Sequence, residues 1–264
     1  MRRNLGFARL GIITNLEYRV NFLSDAVLQP VLATAIEVTL WVAVFAGSGV
    51  TEIAGFGKES YLAYVLWAAF VGRTTSTWMY EFRMIEEIEM GSVNTLLSRP
   101  VSFFEYYLSQ FMGYKLVVSS ISFLFPLAAC AAMGLPLHYD RLPAAMALIA
   151  FFLLFVQTMS FCIACLAFKL NKVSSFTVAK NLGLWLLSGE LLPLDLMPAG
   201  WKELVISLPF ANAVYIPVAY MTGRVGADVL LTGFLSSAAG LAFMGMLAYV
   251  MWQRGLRQYS GTGA

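Results

Sequence analysis

At 264 residues, with 59% of positions hydrophobic and only 12% charged, this chain differs from soluble domains, which are about half apolar and a quarter charged. The mean hydropathy of +0.74 indicates that lipid is the solvent for much of its surface. A net charge of +2 gives no general basic field, so nucleic acid is not expected as a partner. One histidine and three cysteines exclude most metal-binding and disulfide frameworks. The composition predicts an integral membrane protein.

The first segment, residues 1–25, is predicted to form an amphipathic helix that lies on the membrane surface. Apolar residues recur there at helical spacing, although Arg9 falls within the apolar arc. Charges are spread through the first twenty residues, and no compact apolar stretch with a small-residue cleavage site follows, so the segment does not resemble a cleavable signal. The apolar residues are Leu5, Ile12, Leu16, Val20 and Leu23.

Six long apolar stretches follow, each close to the length needed to cross a bilayer. They are continuous rather than alternating, which indicates helices rather than a β-barrel. The sequence therefore predicts an all-α, polytopic protein with one transmembrane domain over residues 1–264: six spans within 26–252 and a cytoplasmic tail at 253–264. The spans lie near Ala26–Ala46, Tyr61–Tyr80, Leu116–Met133, Pro143–Phe168, Ser174–Leu192 and Val229–Trp252.

The distribution of lysine and arginine predicts the orientation. Twelve of them, Lys115 and Lys180 included, fall on the side of the termini and four on the opposite side, while Arg73 lies inside a span. Positive residues are enriched in cytoplasmic loops, so both termini are expected in the cytoplasm. In a bacterium this is the topology of an inner-membrane protein.

The cytoplasmic loop Glu81–Val101 has a helical pattern of its own. Phe82, Ile85 and Ile88 share one face, and Gly91 can end that helix in a left-handed cap. A short second helix follows, with Val93, Leu96 and Leu97 as an exposed apolar patch, and a capping box at Ser102–Glu105 begins the next helix. A solvated loop needs no such patch, whereas an element that docks a partner does; the alternative is a loop folded back on its own membrane helices.

The external loop Pro193–Asp228 is apolar, yet prolines interrupt it repeatedly. Broken backbone at membrane depth is tolerated only where protein covers it or where it lines a cavity. The pattern predicts short re-entrant helices that form an external lid before the last span. The lid residues are Pro193, Pro198, Trp201, Pro209 and Phe210.

Two charged residues fall well inside predicted spans, Glu37 in the first and Arg73 in the second. Their depths match, and an isolated charge in the bilayer centre costs about 3 kcal/mol on insertion scales, so we expect them to meet. Two interpretations stay open: a polar substrate path, or a structural ion pair.

Other chemistry is poorly supported by the sequence. The only Gly-Lys pair, Gly57–Lys58, lacks the first glycine and the hydroxyl residue of a P-loop. Cys162 and Cys165 have CxxC spacing but lie in an apolar span, which favours packing over redox or metal chemistry. His138 is the only histidine, so no Ser/His/Asp arrangement is available. No metal site and no bound cofactor are expected in this chain.

Two motifs resemble those of a known family. The sequence from Gly91 through Leu96-Leu97-Ser98-Arg99-Pro100-Val101 resembles the first cytoplasmic loop of type-2 ABC permeases, the six-helix membrane subunits of ABC exporters. The stretch from Ser188-Gly189 to Leu208-Pro209-Phe210 resembles the external loop before their last span. The resemblance implies a dimer of identical or related permeases, each docked on an ABC ATPase that binds ATP and Mg²⁺.

The resemblance also implies roles for particular residues. The loop after the second span carries the family's coupling helix, which assigns ATPase coupling to Glu86, Glu87, Gly91, Val93, Leu96, Leu97 and Arg99. The second and fifth spans typically line the transport cavity, which places on a substrate path Trp67, Phe70, Thr74, Trp78, Trp185 and Glu190. The charges inside spans, Glu37 and Arg73, are candidates for the same path.

The expected function is therefore the permease subunit of an ATP-driven exporter of hydrophobic, amphipathic or cationic compounds, without a nucleotide site of its own. The alternative is a proton-coupled carrier or channel that uses Glu37, Arg73 and Glu190. A membrane enzyme would need a convergent polar cluster, which the sequence does not offer.

Overall fold

The structure is a computed structural model that describes residues 2–17, 19–49, 51–53, 55–170 and 172–259. The end of the predicted tail, residues 260–264, lies outside the described residues. The chain is built of α-helices, as predicted, apart from one antiparallel hairpin of two-residue strands, β1 (Glu52–Ile53) and β2 (Phe56–Gly57).

The α-helices follow one another with short connections. They are α1 (Arg2–Glu17), α2 (Arg19–Leu23), α3 (Gln29–Ser48), α4 (Lys58–Thr75), α5 (Trp78–Glu89), α6 (Asn94–Leu97), α7 (Phe103–Ser122), α8 (Leu124–Met133), α9 (Leu142–Cys165), α10 (Ser174–Leu187), α11 (Ala199–Ser207), α12 (Tyr215–Met221) and α13 (Ala227–Gln258). A π-helical turn joins α2 to α3, and 3₁₀ turns are Tyr139–Arg141, Leu166–Phe168, Leu194–Leu196 and Pro209–Ala213.

Within the described residues, four helical stretches are long and apolar enough to cross a membrane. The two remaining predicted spans correspond to α4, which carries charges near both ends, and to α10. At 14 residues α10 rises about 21 Å, less than the thickness of a bilayer core of about 30 Å. The four stretches are Ser24–Gly47, Phe103–Met133, Tyr139–Phe168 and Ala227–Gln258.

The predicted second span, Tyr61–Tyr80, is not one helix. The chain leaves the helical conformation at Ser76, where ψ is 136°, and resumes it at Trp78, which separates α4 from α5. No glycine or proline marks this break; the hydroxyls of Thr74 and Thr75 instead bond the carbonyls of their own helix. Hydroxyl side chains that compete for backbone groups in this way weaken helix continuity.

Two apolar clusters hold the helices together. One surrounds α4, α9 and α12 and contains Trp67 and Tyr215, both fully buried. The other joins α5, α7, α9 and α13, where Phe103 stacks on Trp252 at 5.2 Å between ring centroids. Each cluster ties one half of the broken α4–α5 element to α9, and α9, like α13, contributes buried residues to both clusters.

The N-terminal segment is helical, as expected, and α1 packs closely against α7. A Cβ added at Gly113 would lie 2.5 Å from the carbonyl oxygen of Ala8, and one added at Gly11 would lie 2.8 Å from that of Gln110. Only glycine permits this approach of the two backbones. Leu5 and Leu16 remain exposed, so apolar side chains are available to lipid; a position on the membrane surface stays a prediction.

Candidate functional site

A cavity of about 380 Å³ lies between α3, α4, α7 and α10. Seven of the eight residues predicted for the substrate path line it: Glu37, Phe70, Arg73, Thr74, Trp78, Trp185 and Glu190. The eighth, Trp67, does not, because its side chain is fully buried and packs against Phe70 and Phe123. Helical periodicity places Trp67 near the same helix face but cannot separate a cavity wall from the core behind it.

The predicted meeting of Glu37 and Arg73 is wrong. Arg73 instead pairs with Asp25: its Nη2 lies 3.2 Å from Oδ1, and its Nε donates to the Asp25 backbone oxygen at 3.1 Å. Asp25 stands in the π-helical turn before α3, which widens the helix and turns its carboxylate toward α4. Tyr114 of α7 donates to the other carboxylate oxygen at 2.9 Å. Three helical elements therefore meet at this pair.

A lysine within α7 completes this polar corner. Lys115 is about nine-tenths buried and donates to the backbone oxygen of Arg73 at 2.8 Å, while its ammonium lies 5.7 Å from the ring centroid of Phe111. The orientation count treated Lys115 as a cytoplasmic charge. Lys115 belongs to a helix, as Lys180 does. When both are left out of the count, the excess of lysine and arginine stays on the side of the termini.

Two carboxylates also line the cavity. Glu190 follows α10 and packs against Gly72 of α4, where an added Cβ would lie 2.3 Å from the carboxyl carbon of Glu190. Glu37 of α3 is the charged group close enough to act on it. Within the described part of the chain, neither carboxylate has an ion pair or a side-chain hydrogen bond.

A buried ion pair that sequence reasoning missed lies just beyond the cavity. Lys180 of α10 bonds the carboxylate of Glu81 in α5, and it also donates to the hydroxyls of Thr77 at 2.9 Å and Ser160 at 3.0 Å. Both charged side chains are at most 5% exposed. A signal for the pair existed: Lys180 falls inside the predicted span Ser174–Leu192, where a charge requires a partner. The orientation prediction assigns Lys180 to a loop instead.

The loop Glu81–Val101, predicted to be cytoplasmic, has the predicted helix–turn–short helix form. Gly91, with φ of 75°, lies just after the end of α5. Ser102 caps α7, because its hydroxyl accepts a hydrogen bond from the Glu105 amide. The predicted exposed patch is only partly right, because Val93 is fully buried and Leu96 nearly so, whereas Leu97 is 39% exposed.

The exposed surface of this loop is more polar than expected. It combines the apolar tips of Met90 and Leu97 with Arg99 and the carboxylate residues Glu86 and Glu89, while Glu87 is half-buried. We call residues Met90 to Arg99 the coupling segment. Val93 and Leu96 anchor it to the second apolar cluster, so this segment is held on the protein by its own core contacts.

The loop Pro193–Asp228, predicted to be external, is partly buried in the protein, and its role as a lid stays a prediction. The 3₁₀ turn Pro209–Ala213 and the helix α12 are largely buried. Asp195 ties the loop together, accepting from Lys202 at 2.6 Å and Tyr215 at 3.0 Å with Arg224 at 3.5 Å. Of the predicted lid residues Pro193 is buried, Phe210 contacts Phe155, Pro209 begins the 3₁₀ turn, and Pro198 and Trp201 are exposed.

The sequence matches the family model described as ABC-2 family transporter protein over residues 31–263. The chain belongs to the ABC-2 transporter family. No curated protein matches the chain closely enough to count as a relative. The match and the apolar helices identify a multi-pass membrane protein that acts as a permease subunit, and membership implies partnership with ABC ATPase components.

The remaining sequence candidates in this ABC-2 permease have structural surroundings. Cys162 and Cys165 are buried in α9, and the Cys162 thiol lies 3.5 Å from the backbone oxygen of Met244. His138 packs against Gly223 between α8 and α9, and its amide bonds Met221. Among the described residues, no group of three or more histidine, cysteine, aspartate or glutamate side chains could hold a metal ion.

Proposed function

We propose that this permease is the membrane subunit of an exporter of hydrophobic, amphipathic or cationic compounds, energised by a separate ATPase that binds ATP and Mg²⁺. In this proposal six segments cross the bacterial inner membrane, with α4 and α10 as the two shorter crossings and both termini in the cytoplasm. Two permeases, identical or related, form the transport unit, and each docks one ATPase.

The observation that carries the proposal is a continuous connection between the coupling segment and the cavity. α5 runs from the cavity residue Trp78 to Glu89, and the coupling segment follows it directly. The buried Lys180–Glu81 pair joins α5 to α10, which carries Trp185 and leads to Glu190. A displacement of the coupling segment by an ATPase would therefore act on two walls of the cavity together.

The surface composition supports the role of the coupling segment. A helix seated in a groove gains most from a few buried apolar anchors surrounded by charges. Leu97 and Met90 offer such anchors, and Glu86, Glu89 and Arg99 surround them. In this assignment Glu86 and Glu89 tune specificity and association more than affinity. The segment is held in place by Val93, Leu96 and Gly91. Glu87 is half-buried, between these buried residues and the exposed ones.

The alternative, a proton-coupled carrier, is favoured by one observation: the carboxylates of Glu37 and Glu190 face a cavity without cationic partners in the described structure. Ethidium efflux from cells that produce the permease with its ATPase separates the two. An exporter loses efflux when the P-loop lysine of the ATPase is replaced, and it retains efflux when a protonophore collapses the proton gradient. The opposite pattern would establish the carrier and refute the proposal.

A further inference from the structure

The cavity has an uneven distribution of charge. Both of its cations are engaged at one end, Arg73 by Asp25 and Lys115 by the backbone oxygen of Arg73. Glu37 and Glu190 line the same cavity, both partly buried, and within the described residues neither has an ion pair. Two carboxylates held together away from bulk water repel each other, so a cation between them would be stabilised.

The walls beside these carboxylates are aromatic. Trp78 and Trp185 lie 6.2 Å apart between ring centroids, and Phe70 lines the same space. The faces of tryptophan rings attract cations, most strongly where water is excluded. An anion would meet the same faces and two like charges, which disfavours it strongly.

The size of the space limits the ligand. A volume of about 380 Å³ lies at the lower end of the range for small-molecule sites and admits a compact organic ion rather than a polymer or a whole lipid. Glycine at position 72 permits the present position of Glu190, because a Cβ there would collide with its carboxylate.

We propose that this cavity binds compact organic cations, with the positive charge between Glu37 and Glu190 and the apolar body against Trp78 and Trp185. The inference rests on the proposed function and narrows its substrate class: this site favours cations over anionic hydrophobic compounds of the same shape.

Tetraphenylphosphonium and tetraphenylborate provide a direct test, because they have nearly the same shape and opposite charge. Binding of each is measured on the purified permease–ATPase complex in nanodiscs of zwitterionic lipid, and binding to empty nanodiscs is subtracted, because the dipole potential of the bilayer itself favours the borate. The phosphonium should bind at least about tenfold more tightly than the borate, which corresponds to about 1.4 kcal/mol. Equal binding, tighter binding of the borate, or no binding of the phosphonium would overturn the inference.

Single substitutions locate the charge. Glu190→Gln and Glu37→Gln should each weaken phosphonium binding about tenfold, whereas Glu203→Gln, the same change at an exposed position of α11, should leave it unchanged. If both cavity variants bind as the wild type does, the carboxylates are not the site.

A labelling measurement does not depend on the glutamate variants folding. Cysteine introduced at Ala33, an exposed position that lines the cavity, should react with a maleimide more slowly when phosphonium is present, and at an unchanged rate with borate. Protection by both ions or by neither would contradict the inference. ATPase association, scored on the same preparation, separates the two levels: a complex that retains its ATPase but fails these tests refutes the cation site and leaves the proposed function standing.

Discussion

Replacement of Lys180 by methionine should destabilise the protein more than any substitution at a surface charge. The change preserves the length of the side chain and removes its charge, leaving the fully buried carboxylate of Glu81 without its cation. Breaking a buried pair from one side typically costs about 3–5 kcal/mol, because the remaining charge stays desolvated. The hydroxyls of Thr77 and Ser160 lose a donor as well, although they keep their mutual hydrogen bond of 2.8 Å.

The assay is unfolding in mixed micelles with increasing sodium dodecyl sulfate, followed by circular dichroism. Lys180→Met should lower the free energy of unfolding by about 3–5 kcal/mol. The double variant, Lys180→Met with Glu81→Gln, should recover most of this loss, since no buried charge remains. Arg257→Met, at the exposed end of α13, is the matched control and should have little effect. Losses from the two single variants that simply add in the double variant would refute a direct pair.

Three further predictions concern contacts outside this pair. Arg73→Gln should reduce the fraction of permease that assembles, as measured by size-exclusion chromatography, and exchanging the charges of Asp25 and Arg73 should restore part of it. An exchanged variant that assembles no better than Arg73→Gln would contradict the pairing. Gly113→Leu should raise hydrogen exchange throughout α1, because a Cβ alone would meet the Ala8 oxygen at 2.5 Å, and unchanged exchange would show that the helices are not in contact. Asp195→Asn should weaken the external loop by about 2 kcal/mol, seen as faster exchange over residues 193–205, while equal exchange would mean that its hydrogen bonds contribute nothing.

Much of the fold follows from local signals in the sequence. Continuous apolar stretches indicated helices, Gly91 and Ser102 marked a helix end and a helix start, and repeated prolines indicated broken backbone in the external loop. Each of these signals acts over a few residues, so these features can be predicted without knowing which distant residues are in contact.

The errors arose where distant contacts decide. Depth alone pairs Arg73 with Glu37, yet Arg73 binds Asp25, because the π-helical turn presents the Asp25 carboxylate and backbone oxygen together. Val93 and Leu96 were identified as apolar, but periodicity does not reveal that the second apolar cluster covers them. The break at Ser76 carries no glycine or proline, so its cause, competing threonine hydroxyls, was not visible in the hydropathy pattern.

The most direct test of the central claim is the identity of the chains that co-purify with the tagged permease in mild detergent, determined by mass spectrometry for the wild type and for Leu97→Asp. Leu97 is exposed and outside the buried anchors, so its substitution should leave membrane insertion intact. An ABC ATPase should accompany the wild-type permease and be lost from the variant. The account is contradicted if no ABC ATPase accompanies the wild type, or if the variant retains it in full.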